Sequence, residues 1–267
     1  MTTPTKPPVL FVHGLWLHST SWQPWIDHFA AAGYSASAHG WPGDGATVAA
    51  TRADATSVAG AGVNDVVAAY AAHIATLPAK PIVIGHSFGG LIVQRLLGEG
   101  HAVAGVAIDP APIKGVMNLP PSALRVASIA LRNPLNRGRA VALTRDQFRY
   151  GFGNAISTDE SDALFEKWTI PSPGKPLFEA AFATFAPTSP VAVKTKNNDR
   201  GPLLITAGGK DHTVPATVSR TTYRLYRHSS AVTDLEEFPD RGHSLTIDSG
   251  WKDVASSAMD WLGKQGF

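Results

Sequence analysis

The sequence has no cysteine among its 267 residues. Disulfide bonds and thiolate metal sites are therefore excluded, and a cytoplasmic location is expected for such a chain. Charge is also scarce, because charged residues make up 16% of the chain and the net charge is only +2. No basic run is interleaved with aromatic residues, so nucleic acid is not an expected partner.

Long hydrophobic runs are absent as well. No apolar stretch approaches the roughly 18 residues that a membrane helix needs, so no membrane span is expected. The opening residues, MTTPTKPP, hold one lysine and no apolar segment, and they do not resemble a secretory signal. The hydrophobic content of 44% is ordinary for a globular protein. The length suits one large α/β domain, or a core that carries an inserted subdomain.

Short apolar runs alternate with helical patterns along most of the chain. Strands are predicted at 8–13, 34–38, 81–85, 102–108, 202–207 and 233–238. Helices are predicted after a cap at 19–21, at 63–77, at 88–98, at 215–227 and from about 250 onward. This alternation implies βαβ crossovers, and the predicted fold class is therefore α/β with a doubly wound, mostly parallel sheet.

Residues 113–200 interrupt the alternation, because they hold many prolines, short amphipathic pieces and no convincing buried strand. We interpret them as a helical cap inserted into a core made of residues 1–112 and 201–267. The segment has more basic than acidic side chains, which is typical of a solvated surface and would also suit substrates with an acid group. Its large apolar side chains could fold over a site: Leu131, Phe148, Phe152, Trp168, Phe178, Phe182 and Phe185.

The stretch Gly85–Gly89, with the sequence GHSFG, lies between a predicted strand and a predicted helix. Such a junction forces Ser87 into a strained backbone and lifts its hydroxyl above the sheet. Larger side chains at the two glycines would collide with the neighbouring strand and helix. The Phe88 N–H lies at a helix N-terminus, where it can stabilise an anion. Ser87 is therefore the candidate nucleophile.

A serine hydroxyl needs a general base and an orienting acid. His243 follows the last predicted strand, so it should lie at the same edge of the sheet as Ser87. Asp211 follows strand 202–207 and is the favoured acid, while Asp109, after strand 102–108, is the rival. His13 and His86 border strands and could be structural or line a pocket. Five further histidines are expected to be solvated: His18, His28, His73, His101 and His228.

The loop after the first strand should supply a second hydrogen-bond donor for an oxyanion. Gly14 lets the backbone turn inward, and the Leu15 N–H is the candidate donor. Trp16 should lie at the mouth of the pocket, although it could equally be a core aromatic packed with Trp22 and Trp25. Trp16 and Val214 are the two residues predicted to contact the substrate.

The motifs, taken in order, resemble those of the α/β-hydrolase superfamily over nearly the whole chain. They are His13-Gly14, His39–Gly43, Gly85–Gly90, Gly208–Asp211 and Gly242-His243. The resemblance implies a catalytic triad of Ser87, Asp211 and His243, an oxyanion hole from Leu15 and Phe88, and a cap at 113–200. The first strand comes almost at once, so the usual leading hairpin is not expected. This start is similar to compact esterases, including the plant methylesterase and hydroxynitrile lyase branch.

Two branches are disfavoured by single residues. Haloalkane dehalogenases and epoxide hydrolases have an aspartate nucleophile, where this chain has Ser87. Hydroxynitrile lyases have a lysine after the catalytic histidine, where this chain has Ser244.

The resulting prediction is a serine hydrolase that cleaves a small carboxylic ester through an acyl-enzyme. No cofactor is expected, and no metal-ligand motif such as H-E-x-x-H is present. A lactonase, thioesterase, amidase or cofactor-free perhydrolase would use the same residues, because each passes through an acyl-enzyme. A ligand-binding protein with an inactive triad is a further alternative. The oligomeric state is not predicted.

Overall fold

The computed structural model describes residues 6–117 and 119–267, so the opening residues examined for a secretory signal lie partly outside the described residues, at 1–5. The strands are β1 (Val9–Val12), β2 (Ala36–His39), β3 (Ile82–His86), β4 (Ala104–Ile108), β5 (Ala140–Val141), β6 (Ser172–Pro173), β7 (Leu203–Gly208) and β8 (Thr233–Phe238). The α-helices are α1 (Gln23–Ala31), α2 (Val48–Ala53), α3 (Val63–Ile74), α4 (Phe88–Gly98), α5 (Pro121–Leu131), α6 (Arg145–Gly151), α7 (Thr158–Trp168), α8 (Lys175–Ala181), α9 (Ala216–Leu225) and α10 (Trp251–Lys264). Two short 3-10 helices span Ser19–Trp22 and Pro134–Gly138.

Six strands form one parallel sheet in the order β2-β1-β3-β4-β7-β8. The predicted doubly wound α/β fold is therefore confirmed. From β1 the chain crosses first to β2 on one side and then to β3 on the other. The strand order thus reverses between β1 and β3, and a crevice opens there at the carboxyl ends of the strands.

Side-chain alternation along the buried strands produces a separate apolar core on each face of the sheet. Val9 and Phe11 point to the face covered by α1 and α10, where Trp25 and Leu262 pack. Leu10 and Val12 point to the opposite core, which holds side chains of α3, α4 and α9. A strand buried on both faces has to be apolar at every position, and this accounts for the short continuous runs in the sequence.

The first helical region begins differently from the prediction. The expected cap at Ser19–Ser21 is instead part of a 3-10 helix, and His18 caps it by accepting a hydrogen bond from the Thr20 N–H. Helix α1 then starts at Gln23, with Pro24 in its first turn, where the missing N–H of proline costs nothing. His18 is buried and its ring bonds to Thr20 and to the Gly45 carbonyl, so the expectation that it is solvated was wrong.

The segment between β4 and β7 contains four α-helices and one 3-10 helix. In its described part it adds no strand to the six-stranded sheet, although β5 and β6 form a two-residue antiparallel pair that was not predicted. Helix α2 was not predicted either, because it buries only Thr51 and so leaves no apolar periodicity. None of the helices within 6–117 and 119–267 is long and apolar enough to span a membrane.

Candidate active site

Three non-glycine residues have a positive φ among the described residues, and all three follow strands at the same edge of the sheet. Trp16 comes after β1 with a φ of 67°, Ser87 directly after β3 with 57°, and Asp109 directly after β4 with 42°. Such conformations cost on the order of 1–3 kcal/mol each and persist where the surrounding structure enforces them. Strain is therefore concentrated at the crevice where the strand order reverses.

The tight turn at Ser87 depends on three glycines. A Cβ at Gly89 would lie 2.1 Å from the Val12 carbonyl oxygen, and one at Gly85 would lie 2.5 Å from the Gly89 oxygen. A Cβ at Gly14 would lie 2.7 Å from the His86 oxygen and 2.8 Å from the Ser87 Cβ. The steric constraint that the sequence suggested for Gly85 and Gly89 therefore also acts on Gly14, in the loop after β1.

His243 and Asp211 meet although 32 residues separate them. Nδ1 of His243 donates to Oδ2 of Asp211 at 2.5 Å, and both side chains are fully buried. Oδ1 of Asp211 accepts from the backbone N–H groups of Thr213 and Val214, at 2.7 and 2.8 Å. Asp211 is thus held by three N–H donors and fixes the imidazole with its ring proton on Nδ1.

The other ring nitrogen of His243 is free. Nε2 is buried and has no hydrogen-bond partner among the described residues, the Ser87 hydroxyl included. An unsatisfied buried nitrogen costs about 1–3 kcal/mol, so its retention is typical of a functional group. Hydrogen bonds between a nucleophile and its base are often long without substrate and shorten when substrate binds.

Asp109, the rival acid, lies beside the favoured one. Ligand atoms of Asp109, Asp211 and His243 all lie within 4.8 Å of one another, and Asp109 is fully buried. Oδ1 of Asp109 accepts from the Thr206 hydroxyl at 3.1 Å, and Oδ2 accepts from the Gly208 N–H at 3.0 Å. Asp109 and Asp211 were alternative acids in the prediction from the sequence, whereas in the structure both carboxyls lie close to His243.

Burial governs the protonation of this group. It raises the pKa of Asp109 well above its usual value, and the neighbouring charge of Asp211 raises it further. Burial also raises the pKa of Asp211, against the lowering effect of its hydrogen bonds. The pKa of His243 falls to about 4 because the charged imidazolium is desolvated. His243 is consequently a neutral base at neutral pH.

Two aromatic rings enclose His243 that were not predicted to do so. The His86 ring lies 4.4 Å from the His243 ring, and the Phe152 ring lies 4.7 Å away, edge-on. His86 directly precedes Ser87 in the GHSFG motif, and this adjacency was the one indication in the sequence that its ring lies near the site. His13 is structural, because its ring bonds to the Gly14 carbonyl and to the Trp41 N–H.

The candidate oxyanion donors lie on the two segments that meet at Ser87. The Phe88 N–H is the first of α4, and the first N–H groups of a helix have no intrahelical acceptor. The Leu15 N–H makes no hydrogen bond to the described residues. The next N–H, that of Trp16, is already bonded to the Ser172 hydroxyl at 2.6 Å.

A cavity of about 200 Å³ has Ser87 in its wall. Trp16 and Val214, the predicted substrate contacts, line it as well, and Trp16 packs on the face of the sheet opposite to Trp22 and Trp25. Helices α5 and α8 and the residues just before α5 supply an aliphatic wall: Leu119, Ala123, Leu124, Val126, Ala127, Leu131, Leu177, Ala180 and Ala181.

The aromatic side chains of the segment 113–200 do not form this wall. Phe148 and Phe152 are buried in the core, while Phe182 and Phe185 are 59% and 81% exposed. Of the seven large side chains considered from the sequence, only Leu131 lines the cavity. No ionisable side chain lies among the described lining residues, so the basic character of the segment does not extend into the cavity.

The cluster of Asp109, Asp211 and His243 also has the spacing of a metal site. Apart from Nε2 of His243, its donor atoms already serve hydrogen bonds within the protein: Nδ1 of His243 binds Asp211, and both carboxyls accept from N–H groups. The arrangement is suited to orienting a base and delocalising its charge, which is the chemistry of nucleophilic catalysis.

Comparison with known proteins gives a family and several structural relatives. The sequence model of the alpha/beta hydrolase family matches residues 9–257. No curated protein matches the chain in sequence. The fold is similar to a monoacylglycerol lipase from Paleococcus ferrophilus, with 21% identity, a TM-score of 0.68 and coverage of 97% of this chain and 96% of the lipase.

Two plant proteins are similar in structure at lower identity. A methylesterase from Arabidopsis shares 15% of its residues, with a TM-score of 0.65 and coverage of 96% of this chain and 99% of the esterase. Tomato methylketone synthase I shares 13%, with a TM-score of 0.69 and coverage of 97% and 99%. At these identities the likeness establishes the fold, and function has to be argued from the site.

Proposed function

The chain belongs to the alpha/beta hydrolase family, and from that premise we propose that it is a serine hydrolase that cleaves a carboxylic ester. Ser87 attacks the ester carbonyl as Nε2 of His243 takes its proton. His243 then returns that proton to the departing alcohol. A water molecule, activated by the same nitrogen, releases the acid from the acyl-enzyme. Asp211 holds the imidazole and stabilises its cationic form.

One observation carries this proposal most directly. His243 is bonded through Nδ1 to a buried carboxyl, while its buried Nε2 has no partner. An imidazole anchored through one nitrogen, with the other left open, is the arrangement that a general base requires. The strained serine after β3 and the cavity beside it supply the nucleophile and room for a substrate.

The developing oxyanion is assigned to the N–H groups of Leu15 and Phe88. Gly14 packs directly against Ser87, so the loop after β1 and the start of α4 lie on one side of the nucleophile. Removal of one donor from such an oxyanion hole typically costs about 2.7–4 kcal/mol of transition-state stabilisation.

Residues 113–200 act in this proposal as the cap of a core made of 1–112 and 201–267. Helices α5 and α8 of the cap form the outer wall of the cavity, and Ser87 and Phe88 of the core form its floor. Such an enclosure excludes water from the reacting groups, which strengthens the electrostatic interactions inside.

The test is hydrolysis of p-nitrophenyl butyrate by wild type and Ser87→Ala, together with labelling by a fluorophosphonate. We expect the variant to lose at least about 10³-fold in kcat/KM and to lose labelling. Ser128→Ala, an exposed serine on α5, is the matched control and should behave as wild type. Labelling that persists in Ser87→Ala, or wild-type turnover by that variant, would contradict the serine mechanism.

A further inference from the structure

The wall of the cavity indicates what part of a substrate it receives. The Trp16 indole N–H is bonded to the Val141 carbonyl, and the Thr213 hydroxyl is bonded to the Gly151 carbonyl. Among the described lining residues, this leaves the Ser87 hydroxyl as the one side-chain hydrogen-bond donor open to a ligand. A hydrogen-bond-accepting substituent away from Ser87 would therefore be desolvated without compensation.

The shape of the wall is set by small residues at helical spacing. Ala123 and Ala127 lie four residues apart on α5 and so share one face of that helix, and Ala180 and Ala181 on α8 line the cavity too. An apolar cavity of about 150 Å³ holds the six carbons of benzene, so one of about 200 Å³ holds roughly eight. Leu124 lines the cavity and is 51% exposed, which marks the outer rim.

We propose that this cavity binds an aliphatic chain of the substrate, of roughly eight carbons, between α5 and α8. The inference rests on the proposed function, since it takes Ser87 as the reacting group. This aliphatic chain is either the acyl part or the alcohol part of a neutral ester, and the experiment separates these two possibilities.

The measurement is kcat/KM over two series of esters, one varied in acyl length and one in alcohol length, from two to twelve carbons. In one series kcat/KM should rise roughly fourfold per methylene up to about eight carbons, which corresponds to ~0.8 kcal/mol per methylene. It should then level off or fall. Values that are flat or falling from two carbons onward in both series would overturn the proposal.

A second experiment fills the cavity with a larger side chain. Ala127→Phe should lower kcat/KM for the eight-carbon ester at least tenfold and leave the two-carbon ester within about threefold. Ser128→Phe, at an exposed position on the same helix, is the matched control and should change neither. Equal losses for both esters in Ala127→Phe would count against chain binding. Fluorophosphonate labelling of Ser87 separates the serine-hydrolase proposal from the proposal of a bound aliphatic chain. An enzyme that is labelled but shows no preference for longer esters would refute only the second.

The hydrogen bonds of the two buried carboxyls support a second inference, which concerns Asp109. An ionised carboxylate offers about four lone-pair sites. Asp211 fills three of them with N–H groups, from His243, Thr213 and Val214, whereas Asp109 accepts from one N–H, that of Gly208, and from one hydroxyl. Two adjacent buried carboxyls cannot both be ionised. The negative charge stays on the carboxyl that accepts more hydrogen bonds from N–H groups.

We infer that Asp109 is a protonated carboxylic acid that donates a hydrogen bond to Asp211 and holds it in position for His243. Asp109 is thus a positioning residue in the proposed mechanism. Asp211 and His243 are the titratable groups that face it. Burial and the charge of Asp211 keep the pKa of Asp109 high, which agrees with the geometry.

Three variants test this role. Asp109→Asn keeps a neutral hydrogen-bond donor and should retain kcat/KM within about tenfold, whereas Asp109→Leu should lose about 10²-fold and Asp211→Asn more. In wild type, ionisation of Asp109 should lower kcat/KM at high pH, and Asp109→Asn should lack that alkaline loss. If Asp109→Asn is as impaired as Asp211→Asn, Asp109 is the ionised acid and the inference is wrong. Wild-type activity in Asp109→Leu would also overturn it.

Infrared spectroscopy gives a readout that needs neither activity nor substrate. The C=O stretching band of a buried protonated carboxyl should be present in folded wild type at neutral pH and absent in folded Asp109→Asn. A spectrum without that band in wild type would refute the inference. The band in an enzyme that cleaves no ester would leave it standing and refute only the proposed function.

Discussion

Gly14 shows how closely single residues are fitted around Ser87. Its Cα is so near the turn after β3 that an added methyl group would overlap both the His86 oxygen and the Ser87 Cβ. The positive φ of Ser87 leaves the turn little freedom to adjust. Small changes here are therefore expected to alter activity as well as stability.

Gly14→Ala should lower kcat/KM for an ester by about 10²-fold or more, because the loop carrying the Leu15 N–H has to move away from Ser87. Overpacking of this kind should also cost about 1–3 kcal/mol of unfolding free energy. Gly138→Ala is the control, since its new methyl group would meet nothing within 4 Å. Ester kinetics and thermal unfolding measure both effects, and wild-type kinetics in Gly14→Ala would contradict the fit described.

The pH dependence of turnover should reflect the buried imidazole. Burial lowers the pKa of His243 from 6.5 to about 4, so the neutral base persists below neutral pH and is lost only on stronger acidification. We expect the acid limb of kcat/KM to lie below pH 6.5, the ordinary pKa of a histidine. A pH–rate profile, with folding checked by circular dichroism, measures this. An acid limb centred near 6.5 would mean that the imidazole titrates as it does in water.

The loop from β8 to α10 is an element stabilised by one buried carboxylate. Asp248 is ion-paired with Arg241, accepts from the Ser244 hydroxyl at 2.8 Å and accepts from the Gly250 N–H at 3.0 Å. These bonds tie together the two ends of the turn that carries His243. The orientation of the histidine thus depends on a group that does not touch it.

Asp248→Ala should destabilise the fold by about 3 kcal/mol, because it leaves Arg241 and two donors without their buried partner. It should also lower kcat more than it raises KM, since the histidine is displaced and the cavity is not. Asp240→Ala is the matched control, because Asp240 is exposed and makes only a surface ion pair with Lys210. Unfolding curves and ester kinetics that are equal for the two variants would contradict this role.

Across the whole molecule, Arg52 joins the segment 113–200 to the rest of the chain. Its Nε donates to the Thr169 carbonyl at 2.8 Å, and its Nη2 donates to the carbonyls of Phe165 and Glu166 at 3.1 and 2.9 Å. These carbonyls belong to the last turn of α7 and to Thr169, the residue that caps it, and they lie at the negative end of the helix dipole. One guanidinium on α2 thus satisfies the end of a helix more than a hundred residues away.

Arg52→Ala should lower the free energy of unfolding by about 1–2 kcal/mol and speed limited proteolysis near the end of α7. Arg132→Ala, at an exposed position, should change stability by less than about 0.5 kcal/mol. Proteolysis followed by mass spectrometry locates the cleavage sites. Unchanged cleavage near residues 165–170 in Arg52→Ala would show that the helix end is held by other contacts.

Local patterns in the sequence determined the parallel sheet, the strand–turn–helix around Ser87, and the positions of Asp211 and His243 at strand ends. Each depends on residues close together in the chain, where burial periodicity and glycine sterics act directly. Tertiary structure alone decided that Asp109 lies beside Asp211 and that His86 and Phe152 enclose His243. It also decided that residues 113–200 contribute aliphatic side chains, and not their aromatic ones, to the cavity. These features depend on the register of neighbouring strands and on the packing of distant helices, which a local pattern does not encode.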